Sequence, residues 1–363
     1  MDRYKLYTNW LIILIVVEAT LILLTCMYLQ PVTGDTTRLS GYSENDFGWN
    51  LPQKTFAKAA ASLKEEYDQY SDVVVVGDSF SFGGVLGMMN YPWQTFLTAA
   101  TSLSVITISH YTTKTNPPSY DPTLVYKIIN SELFKRNPPK LFILEVVERQ
   151  LNMLPKVEGD CRVHNKIKDK FDYSISNNNS KPTVDVYRPK NHPSLSKRID
   201  FAVKFWKTKL LLNKGDNQAF LFALTSENLF SSARSDTLLV YEGDVKKKNW
   251  DAKLIENTRC KLINMQNMVQ ANGKTLFIAM VAPDKLTAYS PYLKDTSAAK
   301  YTVIGQLSTD SSLHLPRFDL PLQQAIKNGM IDVYLPNDTH WASIGQNIAA
   351  TTIIDYLLGF QGD

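Results

Sequence analysis

Val73-Val74-Val75-Val76 runs straight into Gly77-Asp78-Ser79-Phe80-Ser81. Four consecutive β-branched residues leave no polar face for solvent, so the strand they form must be covered on both sides. That requirement points to a parallel sheet with helices on each face. In such sheets, ligands collect beyond the carboxyl ends of the strands. Gly77 permits a tight turn there, and Ser79 lies three residues past the last valine.

The pattern further along repeats the same theme. Asp72–Val76, Ser104–Ile108, Leu141–Val147, Thr275–Val281 and Ile331–Tyr334 read as strands. Val85–Ala100, Pro122–Lys135, Lys253–Ala271, Pro321–Asn328 and Ser343–Leu358 read as helices between and after them. This alternation predicts an α/β domain with a central parallel sheet. A chain of 363 residues is long enough for one large domain with a full core. The expected organisation is a cytoplasmic tip and membrane anchor over residues 1–30, a tether and lead-in helix over 31–70, and a catalytic domain over 71–363. The strand–helix rhythm stops between about residues 150 and 250, which read as a large insertion near the site. Its basic residues, among them Lys166, Lys168, Lys170, Lys197, Arg198 and Lys204, suit either a groove for an anionic polymer or an ordinary solvated surface. A net charge of +4 is too mild to suggest nucleic acid.

Trp10 to Leu29 (WLIILIVVEATLILLTCMYL) has the length of a bilayer span and holds a single charge, Glu18. Arg3 and Lys5 precede it, and Arg38 and Lys54 are the next basic residues after it. The positive-inside rule then places the N-terminus in the cytoplasm and everything after Gln30 outside. A cleaved signal peptide is the competing reading; the length of the run and the lack of an A-x-A site favour an uncleaved anchor. Glu18 fits either contact with a membrane partner or a protonated side chain tolerated within the span. Cys26 falls inside the span. Cys161 and Cys260 fall outside it, where they are either paired or two free thiols.

Near the C-terminus stands Asn337-Asp338-Thr339-His340-Trp341. A serine hydroxyl is a weak nucleophile until a base takes its proton, and that base needs an orienting group. Asp338 and His340, two residues apart on one loop, supply both for Ser79. Taken without Ser79, the pair reads equally well as a helix cap and a packed histidine.

These motifs carry a resemblance. GDSFS after its strand, Glu148-Arg149 after the third strand, the Pro283–Lys285 turn, and DTHW leading into an Ala-rich helix are similar to one group. That group is the SGNH-like domains of the alginate O-acetyltransferase family, periplasmic proteins that acetylate exopolysaccharide. The resemblance covers residues 70–150 and 250–360. In the alginate branch, Asp-x-His-Trp precedes the serine motif; here it follows. That is the order of ordinary SGNH esterases and of the D-alanyl transfer protein of teichoic acid synthesis.

The resemblance implies a three-layer α/β/α SGNH-like domain behind one transmembrane helix. It implies O-acetyl transfer through an acyl-serine on Ser79, with His340 as base and Asp338 as its partner. No cofactor or metal is implied. The implied partners are a multi-span membrane acyltransferase that supplies acetyl groups and a polysaccharide acceptor. The implied location is the inner membrane, single-pass, with the domain facing the periplasm or the exterior. The Gly and Asn blocks of the usual oxyanion hole are not evident. Ser81, Asn90, Arg149 and Trp341 are the candidates for contacts to the oxyanion or substrate, and Ser109 is not separated from them by sequence. A carbohydrate acetylesterase, a D-alanyl transferase and a non-catalytic polymer-binding subunit of an export complex are the alternative functions.

Overall fold

The computed structural model describes residues 2–28, 34–56, 62–82, 92–101, 103–112, 119–121, 123–165, 183–185, 194–210, 218–297 and 302–361. Asn90, the start of the helix expected from Val85, Lys166, Lys168 and Lys170 lie outside them.

Five strands form the central sheet: β1 (Ser62–Lys64), β2 (Val73–Gly77), β3 (Val105–Ser109), β4 (Leu141–Val147) and β5 (Leu276–Ala282). They lie side by side in the order β5-β4-β2-β3-β1, and every pair is parallel. The valine run of β2 is completely buried, as its composition requires. Val73 and Val75 point into one core with Ile143, Ile278 and Met280. Val74 and Val76 point into the other with Phe142, Leu144, Phe277 and Ala279. The period-two alternation of a strand thus divides one apolar run between two hydrophobic layers.

Seven helices matter here: α1 (Asp2–Tyr28), α2 (Asp35–Ser40), α3 (Trp93–Thr101), α4 (Leu195–Leu210), α5 (Ala252–Gln270), α6 (Asp319–Lys327) and α7 (Ser343–Gln361). α3, α6 and α7 close the first core with Trp93, Leu97, Leu322, Ile326, Ala349 and Ile353. α5 closes the second with Ile255, Leu262, Met265 and Val269. The three-layer α/β/α expectation holds.

Two expectations need correction. Ile331–Tyr334 does not form a strand. Asp332 takes a left-handed φ of 54°, and a single antiparallel bridge joins Tyr334 to Trp341. Asp332 is held there by the Ser231 backbone N–H, which donates to its carboxylate at 2.9 Å. The segment therefore folds back on itself instead of extending the sheet. Nor do the described residues of 31–70 form a tether with one helix. They comprise α2, a short helix Glu44–Phe47, a strand Gln53–Thr55 paired antiparallel with Thr183–Asp185, and the edge strand β1. Ser343 fastens this segment to the C-terminal region: its hydroxyl accepts from Lys54 N–H and its N–H donates to Gln53, both at 2.8 Å.

The residues after β4 include α4 and an antiparallel pair, Ala219–Ala223 with Thr237–Tyr241. Leu238 and Val240 of that pair belong to the first core, so the insertion is built into the domain. Cys161 and Cys260 are disulfide-bonded, which ties the start of the insertion to α5. Arg3–Tyr28 of α1 is long and apolar enough to cross a membrane by length and composition. Its last turn meets α4, where Trp206 Nε1–H donates to Thr25 Oγ1 at 2.8 Å.

Candidate active site

The chain leaves β2 toward β3 on one side, and leaves β4 toward β5 on the other. The crevice between the carboxyl ends of β2 and β4 is therefore a topological switch point, where α/β proteins bind ligands. Gly77 ends β2. A Cβ there would lie 2.3 Å from Ser81 Oγ and 2.9 Å from Glu145 Oε2, so only glycine fits.

Asp78 sets the turn. Its N–H donates to Glu145 Oε2 at 2.9 Å, and its carboxylate accepts Phe80 N–H at 2.9 Å and Val147 N–H at 2.8 Å. Ser79 then opens the short helix Ser79–Phe82 at the top of the sheet. Ser81 is not available to an oxyanion. It is buried, and its hydroxyl donates to Glu145 Oε2 at 2.8 Å. Glu145 itself sits fully buried in β4, and burial first, then Asp78, pushes its carboxyl well above the usual range. Its Oε2 braces the turn beneath Ser79 by accepting from both Asp78 N–H and the Ser81 hydroxyl.

The second half of the site comes from the loop before α7. His340 Nε2 lies 2.7 Å from Ser79 Oγ, and His340 Nδ1 lies 2.5 Å from Asp338 Oδ1. Asp338 Oδ1 also accepts His340 N–H at 3.0 Å. Burial alone would raise Asp338, but the His340 ring and the N–H groups aimed at it bring it to about 2. Burial alone would lower His340. The Asp338 carboxylate, aided by that of Asp35, outweighs it and raises the ring above 6.5, while Arg149 opposes them.

Lys285 fastens this loop. It is fully buried, and its Nζ donates to the carbonyls of Leu335 at 2.8 Å, Pro336 at 2.7 Å and Asp338 at 3.2 Å. Tyr334 adds a hydroxyl donated to Pro283 O at 2.6 Å. The Pro-Asp-Lys turn noted in the sequence is thus the clamp on the histidine loop.

Arg149, at the end of β4, lies close by. Its guanidinium stands 6.0 Å from the centroid of the Phe80 ring. It is anchored from behind by Asp284 at 2.7 Å and Asp244 at 3.4 Å, and Lys247 joins Asp284 to Glu148 with two 2.6 Å ion pairs. Trp341 is turned into the hydrophobic core. It is buried and packs edge-on against Phe80 at 4.9 Å, forming the floor under the loop.

Asp35, Asp338 and His340 place ligand-type atoms within 4.8 Å of one another. These groups already have partners: Asp338 Oδ1 accepts from the ring, Asp338 Oδ2 accepts the Asp35 backbone N–H at 3.0 Å, and Asp35 Oδ1 accepts from Arg38 at 2.8 Å. The arrangement is that of a charge-oriented histidine facing a serine. Among the residues around it, Glu145 was detectable in sequence as the lone charge in the strand LFILEVV. Asp35 carried no such signal.

Fold and site together define an SGNH-like α/β domain. Residues 235–359 match the family model described as the SGNH hydrolase-like domain of acetyltransferase AlgX. The resemblance drawn from the motifs is borne out over that third of the chain. The match includes Lys285, Asp338 and His340, whereas Ser79, Glu145 and Arg149 lie before it. Neither the curated proteins nor the solved structures contain a significant match.

Proposed function

We propose that this protein is a membrane-anchored O-acetyltransferase that carries an acetyl group on Ser79 to a hydroxyl of an extracytoplasmic glycan. The observation that carries this reading is the continuous relay from Asp338 through His340 to Ser79. His340 Nε2 takes the Ser79 proton as Oγ attacks the acetyl carbonyl. The tetrahedral adduct collapses, and His340 returns the proton to the departing donor group. A sugar hydroxyl then gives its proton to His340 and attacks the acetyl-serine, and collapse restores Ser79. The Ser79 N–H, first amide of its helix and without a partner among the described residues, is placed for the developing oxyanion. Arg149 supplies positive charge to the same crevice.

The family match supports acetyl transfer over other acyl groups. The apolar α1, with Arg3 and Lys5 in its first turns, supports anchoring in the cytoplasmic membrane with the domain outside. Acetyl-CoA is absent from that side, so the reading calls for a multi-span membrane partner that exports acetyl groups.

The test uses the full chain in detergent, a chromogenic acetyl ester and an oligosaccharide acceptor. Wild type should release the chromophore and acetylate the acceptor. Ser79→Ala should lose both by about three orders of magnitude or more while remaining folded. Undiminished turnover in Ser79→Ala refutes the reading. Chromophore release with no acetylated acceptor would make the protein an esterase. Because His340 must be neutral to act and its ring is raised, the rate should climb with pH through a midpoint above 6.5.

A further inference from the structure

We infer that Asp35 is a positioning residue for His340. It is a second carboxylate, delivered by the segment that follows the N-terminal apolar helix, and it holds the imidazolium that forms during acyl transfer. The inference rests on the reading of Ser79, His340 and Asp338 as a catalytic relay.

The geometry is specific. Asp35 Oδ2 lies 3.7 Å from His340 Nδ1, while its Oδ1 accepts from Arg38 at 2.8 Å. Its own N–H donates to Asp338 Oδ2. Asp35 thus holds one partner of the ring through its backbone and faces the ring through its side chain. Its neighbours lock this placement. Thr36 N–H and Thr37 N–H both donate to Asn337 O, at 3.1 and 3.3 Å, and the Thr36 hydroxyl donates there too. Glu44 accepts from Gly34 N–H at 3.0 Å and from the Asn337 amide at 2.6 Å. A Cβ on Gly34 would lie 2.0 Å from Asn337 O, so glycine is what lets the two backbones meet.

The charges around the ring are few. Asp338 and Asp35 face Nδ1, and Arg149 opposes them from the end of β4. Arg38 is reached only through Asp35, and Lys285 only through the Asp338 carbonyl. Asp78, on the serine side, is engaged by the amides of Phe80 and Val147. Each acyl-transfer half-reaction protonates His340 once; burial and then Asp338 raise the Asp35 carboxyl, while His340 and Arg38 draw it back toward the anion that stabilises that state. Tyr28 ends α1 and Asp35 opens α2, so Asp35 closely follows the apolar helix in the chain.

The test reads the histidine ring itself. The full chain is labelled with ¹⁵N-histidine in detergent, and the His340 signal is identified by its loss in His340→Gln. Its titration midpoint is then followed in three variants. Asp35→Asn should lower the midpoint by on the order of one pH unit. Asp35→Glu should restore most of it. Arg38→Ala, at a half-exposed side chain, should raise it, because Asp35 loses its counter-charge. The acid limb of the rate profile should move with the midpoint in each case. Damage to the fold alone would lower the rate at every pH without opposite shifts in the two variants. Should Asp35→Asn fail to fold, Arg38→Ala decides alone. A midpoint unmoved in every folded variant among Asp35→Asn and Arg38→Ala overturns the inference. The ring titration needs no substrate, so it stands or falls separately from acetyl transfer.

Discussion

Asp338→Asn is expected to cut acetyl-ester turnover by about four orders of magnitude while the domain stays folded. Asp338 accepts three N–H groups: the His340 ring, the His340 backbone and the Asp35 backbone. Asparagine offers a single acceptor oxygen. With that oxygen turned to the Asp35 N–H, on the Oδ2 side, it presents an amide N–H₂ to Nδ1 and drives the ring proton onto Nε2. That nitrogen then meets Ser79 with a proton where a lone pair is needed. The variant therefore keeps the shape of the site and loses the base. Turnover and the far-ultraviolet circular dichroism melt, measured on one sample, check both halves of this expectation. A loss of less than about tenfold would show that His340 does not depend on Asp338 for its tautomer.

Lys285→Met should produce the largest loss of stability, roughly 3 kcal/mol. Three carbonyls, those of Leu335, Pro336 and Asp338, converge on Nζ in a fully buried position. Methionine fills similar volume but donates nothing, so Pro336 O and Asp338 O lose this donor in a buried position beside Phe230, and Leu335 O keeps only the Asp338 N–H. Relief from burying the ammonium offsets part of this. Burial already pushes that group down to about 7, against the pull of Asp338, Asp244 and Asp332. Since the same carbonyls shape the loop that carries His340, turnover should fall together with stability. Urea unfolding gives the first quantity and ester turnover the second. A variant as stable as wild type would mean that the loop holds its shape through Tyr334 and Ser343 instead.

How legible the molecule was in its sequence follows from how local each cause is. β2 was readable because four valines admit only a strand buried on both faces. β4 and β5 were readable for the same reason. Ser79 and the Asp338–His340 pair were readable because their chemistry sits in short motifs. Ser81 and Trp341 carried the right chemistry in the right motifs, yet the fold engages both side chains elsewhere. Ser81 donates to Glu145, sixty-four positions away, and Trp341 packs under Phe80 across a still longer separation. Ile331–Tyr334 looked extended on β-propensity, but the Ser231 N–H captures Asp332 in a left-handed conformation. No window of sequence contains both partners of any of these contacts.

The sequence by itself determined four of the five sheet strands, the apolar N-terminal helix and the three residue types of the relay, because each depends on neighbouring residues or on a short motif. Only the tertiary structure decided that α2 docks against the histidine loop, that Lys285 clamps that loop, and that Asp35 faces His340. The physical reason is the same for all three. Each is a buried polar contact between segments distant in the chain, and a buried polar group is settled by the partner the fold brings to it, not by its neighbours in sequence.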